Sequence, residues 1–209
     1  MSRAEERSPV VQRSRKRSAE QVHSILGAAV RLIEKKGDTF TTQELVKEAG
    51  VALQTFYRYF TSKDELLIAV IGDQMATATA QWEAAASELD DPLDRLRFYV
   101  GHVLGTLGQD PRRDALARFV IGTHWRLHRV FPEELAKTDK PFVGLLHKEI
   151  QSAVDRGQLT TADAEGDAWF IAELVRSVYH YWAYAPGDRD DVQDRLWEFC
   201  LRALGGTSE

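Results

Sequence analysis

Gln54, Thr55, Tyr57 and Arg58 set an amide, two hydroxyls and a guanidinium within five consecutive positions of this 209-residue chain. No neighbouring base activates either hydroxyl, and neither a carboxylate pair nor a glycine-rich phosphate loop accompanies them. The chemistry open to such groups is recognition: contacts to phosphates and hydrogen bonds to base edges. Phe56 and Phe60 stand four apart among them. A helix over these residues therefore buries two phenyl rings on one face and presents the polar groups on the other, with Tyr59 at the edge. Such a helix suits a major groove.

The flanking residues specify the elements that would hold that helix. Thr41 followed by Glu44 is a capping box, and Leu45, Val46 and Ala49 give a short helix its apolar stripe. Gly50 can end that helix in the left-handed conformation, and Val51 returns to the core. Ser62 and Glu65 form a second capping box that opens the next helix and places Lys63 at its positive end, where anions are favoured. Upstream, Ser18 and Gln21 predict the start of a first helix. Its buried stripe is Val22, Ile25, Leu26, Ala29 and Ile33, and Lys35-Lys36-Gly37 stops it. Residues 18–63 thus read as a three-helix unit containing a helix-turn-helix that binds DNA.

Gly50-Val51, the run from Thr55 through Phe60, Ser62-Lys63 with Leu66-Leu67, and the apolar stretch 25–33 with Gly37 together resemble the DNA-binding signature of the TetR (tetracycline-repressor) family. The close likeness covers roughly residues 18–70. It implies that Thr55, Tyr57 and Lys63 touch phosphates and bases, and that Thr42 and Gln43 occupy positions used on phosphate and base. Two positions depart from the family pattern. Ala52 stands where a capping Ser or Thr is common, a loss of about 1 kcal/mol. Leu53 could meet only a thymine methyl.

Charge is divided along the chain. The formal total is −5, yet residues 1–63 carry 12 basic against 7 acidic side chains, leaving 15 against 25 in the remainder. A basic reading head on an acidic body fits a DNA binder whose body is kept off the duplex. Residues 1–17 are expected to form a flexible basic arm with Arg3, Arg7, Arg13, Arg15, Lys16 and Arg17. It serves either as a solubilising tail or by reaching along the backbone or into a minor groove. One cysteine excludes an internal disulfide framework and fits a reducing cytoplasm. No apolar run reaches the roughly 20 residues of a membrane span, and the charged N-terminus is no secretory signal. The expectation is a cytoplasmic protein with no membrane partner.

Residues 64–209 are expected to be helical throughout: a long connector at 62–87, then helices near 92–108, 111–130, 140–158, 161–184 and 190–204. Pro111, Pro132 and Pro141 punctuate them, and Pro186-Gly187 turns between the last two. The last pair carries aromatic and aliphatic stripes, including Trp169, Val178 and Trp182, then Leu196, Phe199 and Cys200. These either pack on the body or, as the resemblance implies, form a four-helix homodimer interface. A two-fold dimer calls for a palindromic operator with half-sites about one helical turn apart.

The resemblance further implies a body that encloses an inducer. Candidate lining residues are Arg118, His124, Trp125, His128, Trp169, Tyr179 and His180, with a bulky, largely apolar ligand. His124 and His128 lie four apart, as zinc ligands can. Nothing in the spacing selects a third ligand from Glu133, Glu134 or His102, so no metal or cofactor is expected. Cys200 sits on an apolar stripe, as structural thiols do. The sequence therefore predicts an all-α, ligand-responsive DNA-binding regulator rather than an enzyme. Its alternative is a DNA-binding architectural protein without a ligand. Repression, rather than activation, is what the resemblance implies.

Overall fold

The computed structural model describes residues 9–105, 107–108, 110–184 and 190–207, with the side chains of all of these except 9–11, 14, 15, 38, 113 and 190. Regular structure among them is helical, as expected. The order is α1 (Pro9–Lys36), α2 (Thr42–Ala49), α3 (Leu53–Tyr59), α4 (Lys63–Ala85), α5 (Pro92–Gly105), α6 (Pro111–Val130), α7 (Pro132–Thr138), α8 (Lys140–Asp155), α9 (Ala164–Trp182) and α10 (Asp190–Ala203). The chain divides into two compact units, one ending at Val70 and the other beginning at Ile71. The border expected after residue 63 thus falls further along. The first turns of α4 bury Leu66, Leu67 and Val70 and belong to the first unit.

In the first unit, Ile25, Ala29 and Ile33 of α1 are buried together with Phe40, Leu45 of α2, and Phe56 and Phe60. Removing each large side chain from water contributes roughly 1.5–3 kcal/mol. The capping box at Thr41 and Glu44 forms in both directions, and Gly50 ends α2 at φ +66°. At Ser62 only half of the expected box forms. The Glu65 amide donates to Ser62 Oγ at 3.1 Å, while its carboxylate reaches past Ser62 to the Thr61 amide and hydroxyl.

α1 departs most from expectation. It begins at Pro9 rather than Ser18, so Ser18 is interior and caps nothing. Proline suits a first turn, and no glycine or second proline interrupts residues 10–17. The part of the expected arm at 1–8, with Arg3 and Arg7, lies outside the described residues, as does the Pro186-Gly187 turn.

In the second unit, α8 packs against α5 and α9, and α10 packs against α5. Leu96, Tyr99 and Val100 of α5, Leu146 and Ile150 of α8, Ala172 and Val175 of α9, and Trp197 and Cys200 of α10 share one core. α7 was not expected. Pro132 ends α6, but it also occupies the first position of a new helix whose first turn carries Glu133 and Glu134. Those charges suit the positive end of a helix. No helix among the described residues is long and apolar enough to cross a membrane.

Glu149 of α8 is 1% exposed and pairs with Arg95 Nε at 2.8 Å, while Arg95 also donates to the Leu89 carbonyl. Arg95→Met would strand that carboxylate. It should lower the unfolding free energy in urea titrations by about 3–5 kcal/mol, and adding Glu149→Leu should recover most of the loss.

Candidate nucleic-acid interface and ligand cavity

α3 has seven residues and no side-chain cap at Ala52, so its conformation depends on what holds it. Phe56 and Phe60 anchor the inner face, with ring centroids 5.8 Å apart. Tyr57 packs edge-on against Phe56 and remains 54% exposed. Gln54 and Arg58 are also exposed, whereas Thr55 is half-buried. Gln21 of α1 ties down the far end. Its side-chain oxygen accepts from Arg58 Nη2 at 2.7 Å and from Tyr59 Oη at 3.0 Å. Arg58 also lies over the Tyr59 ring, 4.8 Å from its centroid. A hydrogen bond with Ser18, and then the Arg58 guanidinium, pull the Tyr59 phenol below its ordinary range. Ser18 and Gln21, expected to cap a helix, instead serve this clasp.

Thr42 and Gln43 occupy the first turn of α2, Gln43 exposed and Thr42 half-buried. Lys63 is less available than its place at a helix start suggested. Its ammonium donates to the Phe40 carbonyl at 2.9 Å and sits 4.4 Å above the Phe40 ring centroid. On α1, Arg13, Lys16 and Arg17 are exposed, on a helix rather than a flexible arm. The surface so assembled offers donors, acceptors and positive charge.

The second unit contains a cavity of about 370 Å³. α4 contributes Ile71, Gln74, Met75, Ala78, Gln81 and Trp82; α6 contributes Leu116, Val120 and His124; Thr138, Asp139 and Phe142 come from the α7–α8 junction; and α9 contributes Val175, Arg176, Tyr179 and His180. Three of the expected lining residues, His124, Tyr179 and His180, are therefore in place. The other four are not. Trp125 is 69% exposed, Trp169 and His128 are exposed, and Arg118 faces outward with its carbonyl accepting from Tyr184 Oη. Helical rotation explains Arg118 and Trp125, which fall off the inward stripe 116, 120 and 124, whereas His128 continues that stripe one turn beyond the cavity lining. The α4 wall was readable but unread: 71, 74, 75, 78, 81 and 82 recur at helical spacing.

The cavity's polar end centres on Arg176. It pairs with Asp139 at 3.1 Å and with Glu173, and its Nη1 lies 3.2 Å from His124 Nε2. Burial, then the positive charge of Arg176, push the His124 imidazole down to about 4; the same causes lower His180. Burial raises the Asp139 carboxyl against the pull of Arg176. The His124 and His128 rings stack at 6.0 Å, and His124 Nε2 faces the Arg176 guanidinium. No group of three or more His, Cys, Asp or Glu among the described residues could hold a metal. Cys200 is buried and its thiol pushed up to about 11, so it stays protonated.

Residues 25–70 match the family model described as "Bacterial regulatory proteins, tetR family". The chain is 27% identical to the HTH-type transcriptional repressor KstR of Mycolicibacterium smegmatis, over 88% of this chain and 87% of that one. Its fold is that of RolR in complex with resorcinol, with a TM-score of 0.71 at 17% identity over 92% and 91% of the two chains. It is also that of FadR from Bacillus subtilis in complex with stearoyl-CoA, with a TM-score of 0.66 at 18% identity over 89% and 99%.

Tyr57→Phe removes a hydroxyl while keeping the ring contact with Phe56. Operator affinity should fall about tenfold at fixed salt, as for a lost hydrogen bond to a charged acceptor, with an unchanged circular-dichroism melt. The depressed His124 generates a pH prediction. Between about 4 and 6.5 the unfolded chain binds a proton that the folded chain refuses, so this group's contribution to stability is lost as pH falls through that window. His124→Phe should flatten that limb in thermal melts compared with the parent chain.

Proposed function

We propose that this chain, whose residues 25–70 match the tetR family of bacterial regulatory proteins, represses transcription as a homodimer on an inverted-repeat operator and is released by a bulky, largely apolar small molecule. Thr42, Thr55, Tyr57 and Lys63 would chiefly hold the DNA backbone, while Gln43, Gln54 and Arg58 read bases. Arg58 and Tyr59 are held on Gln21, which supports a reading head set before DNA arrives.

The cavity carries the ligand-responsive part of this reading. Its walls join mostly apolar side chains to a few polar groups, as small-molecule sites do. α4 supplies one wall and begins at Lys63, so a ligand pressing on Ile71–Trp82 acts on the helix that leaves the head. Binding would favour a state with displaced recognition helices, and DNA would weaken ligand affinity by the same factor. Repression is supported by the repressor name of the relative from M. smegmatis. An inducer with an aromatic or acyl part is supported by resorcinol and stearoyl-CoA, the ligands named for RolR and FadR. The dimer is supported by Trp169, Phe170 and Tyr181 on α9 and Phe199 on α10, which are exposed although large and apolar.

Selection of bound duplexes from a random pool at physiological salt tests the proposal. An enriched inverted repeat, with half-sites about one turn apart, is the expected outcome. Binding without enrichment would overturn it in favour of a ligand-independent architectural protein.

A further inference from the structure

We propose that Gln21 of α1, outside the helix-turn-helix, sets how Arg58 reads a base: it occupies the nitrogen that a two-pronged grip on guanine requires, so this operator position accepts either purine. The inference rests on the reading of Arg58 as a base-contacting residue. Arg58 Nη2 donates to Gln21 Oε1 at 2.7 Å and to Tyr59 Oη at 3.0 Å. Tyr59 Oη donates to the same Gln21 oxygen at 3.0 Å. Three polar atoms thus close a ring of hydrogen bonds between α1 and the end of α3. A guanidinium is a fixed fork that grips two acceptors side-on, through Nε and Nη2, or end-on, through Nη1 and Nη2. Nη2 belongs to both grips. It already serves two acceptors, which leaves Arg58 single bonds from Nε or Nη1.

A fork on O6 and N7 is what singles out guanine, whereas a lone donor meets an N7 that both purines present. Guanine gains little by taking Nη2 away. Doing so breaks two hydrogen bonds and draws the guanidinium off the Tyr59 ring, 4.8 Å from its centroid, for one further base contact. Ser18, one turn before Gln21, also bonds the Tyr59 hydroxyl, so α1 holds Tyr59 at two points. Gln21 and Tyr59 are half-buried, while Arg58 is exposed. Gln21 is thus a positioning residue that acts on DNA through Arg58.

The test uses the full chain and selection of bound duplexes from a random pool, run in parallel on the parent, Arg58→Met, Gln21→Met and Gln21→Glu. The position whose preference Arg58→Met erases is the one Arg58 reads. There the parent should accept guanine and adenine about equally. Gln21→Met removes the acceptor at similar size, frees Nη2, and should favour guanine over adenine about tenfold, as for a two-pronged contact. Gln21→Glu keeps an acceptor for both donors and should keep the parent's ratio. A Gln21 that only supports the fold would, when replaced, weaken binding to every duplex and leave that ratio unchanged, which would overturn the inference. So would a parent that already selects guanine tenfold over adenine; either result leaves Arg58 as a base reader. If Arg58→Met alters no position, its base-reading role and this inference fall together.

Discussion

A helix of seven residues is too short to persist in water, because nucleation consumes most of what its few hydrogen bonds return. α3 is such a helix, and it lacks even a side-chain cap. Its shape is therefore imposed from outside. Two phenyl rings sink into the first unit, and one glutamine on α1 holds both Arg58 and Tyr59. Every polar group on the outer face inherits its direction from those contacts. The capped α2 and the glycine turn exist, in physical terms, to bring the two rings to the core at the right angle.

The second unit solves a different problem, which is to keep a space open within a packed body. Apolar side chains from α4, α6, α8 and α9 line it, and at one end a half-buried guanidinium is shared between two carboxylates and an imidazole. That sharing offsets the desolvation of Arg176, while burial, and then the Arg176 charge, hold His124 and His180 toward the neutral form. The same pairing steadies α9 against the start of α8.

α4 has two characters along its length. Leu66, Leu67 and Val70 are buried in the first unit, while the face from Ile71 to Trp82 lines the cavity of the second. The exposed aromatics of α9 and α10 add a third demand, since Phe170 remains 65% exposed on a face that nothing among the described residues covers.

The sequence by itself determined the helical class, the reading head and the outward set of its polar groups. Capping residues, a left-handed glycine and phenylalanines four apart act over a few positions, and short-range rules decode them. Within that head it misplaced the start of α1, since Ser18 and Gln21 look like a cap yet serve a clasp reaching residues 58 and 59. It missed α7 because a proline that ends one helix can open another. In the body, only His124, Tyr179 and His180 of seven proposed lining residues reach the cavity, because the rotation of each helix is set by its neighbours rather than by its own composition. The Arg176 cluster joins residues from α6, α8 and α9 that lie up to 52 positions apart. Only tertiary packing decides such a meeting, and with it the charge and the polarity of the cavity.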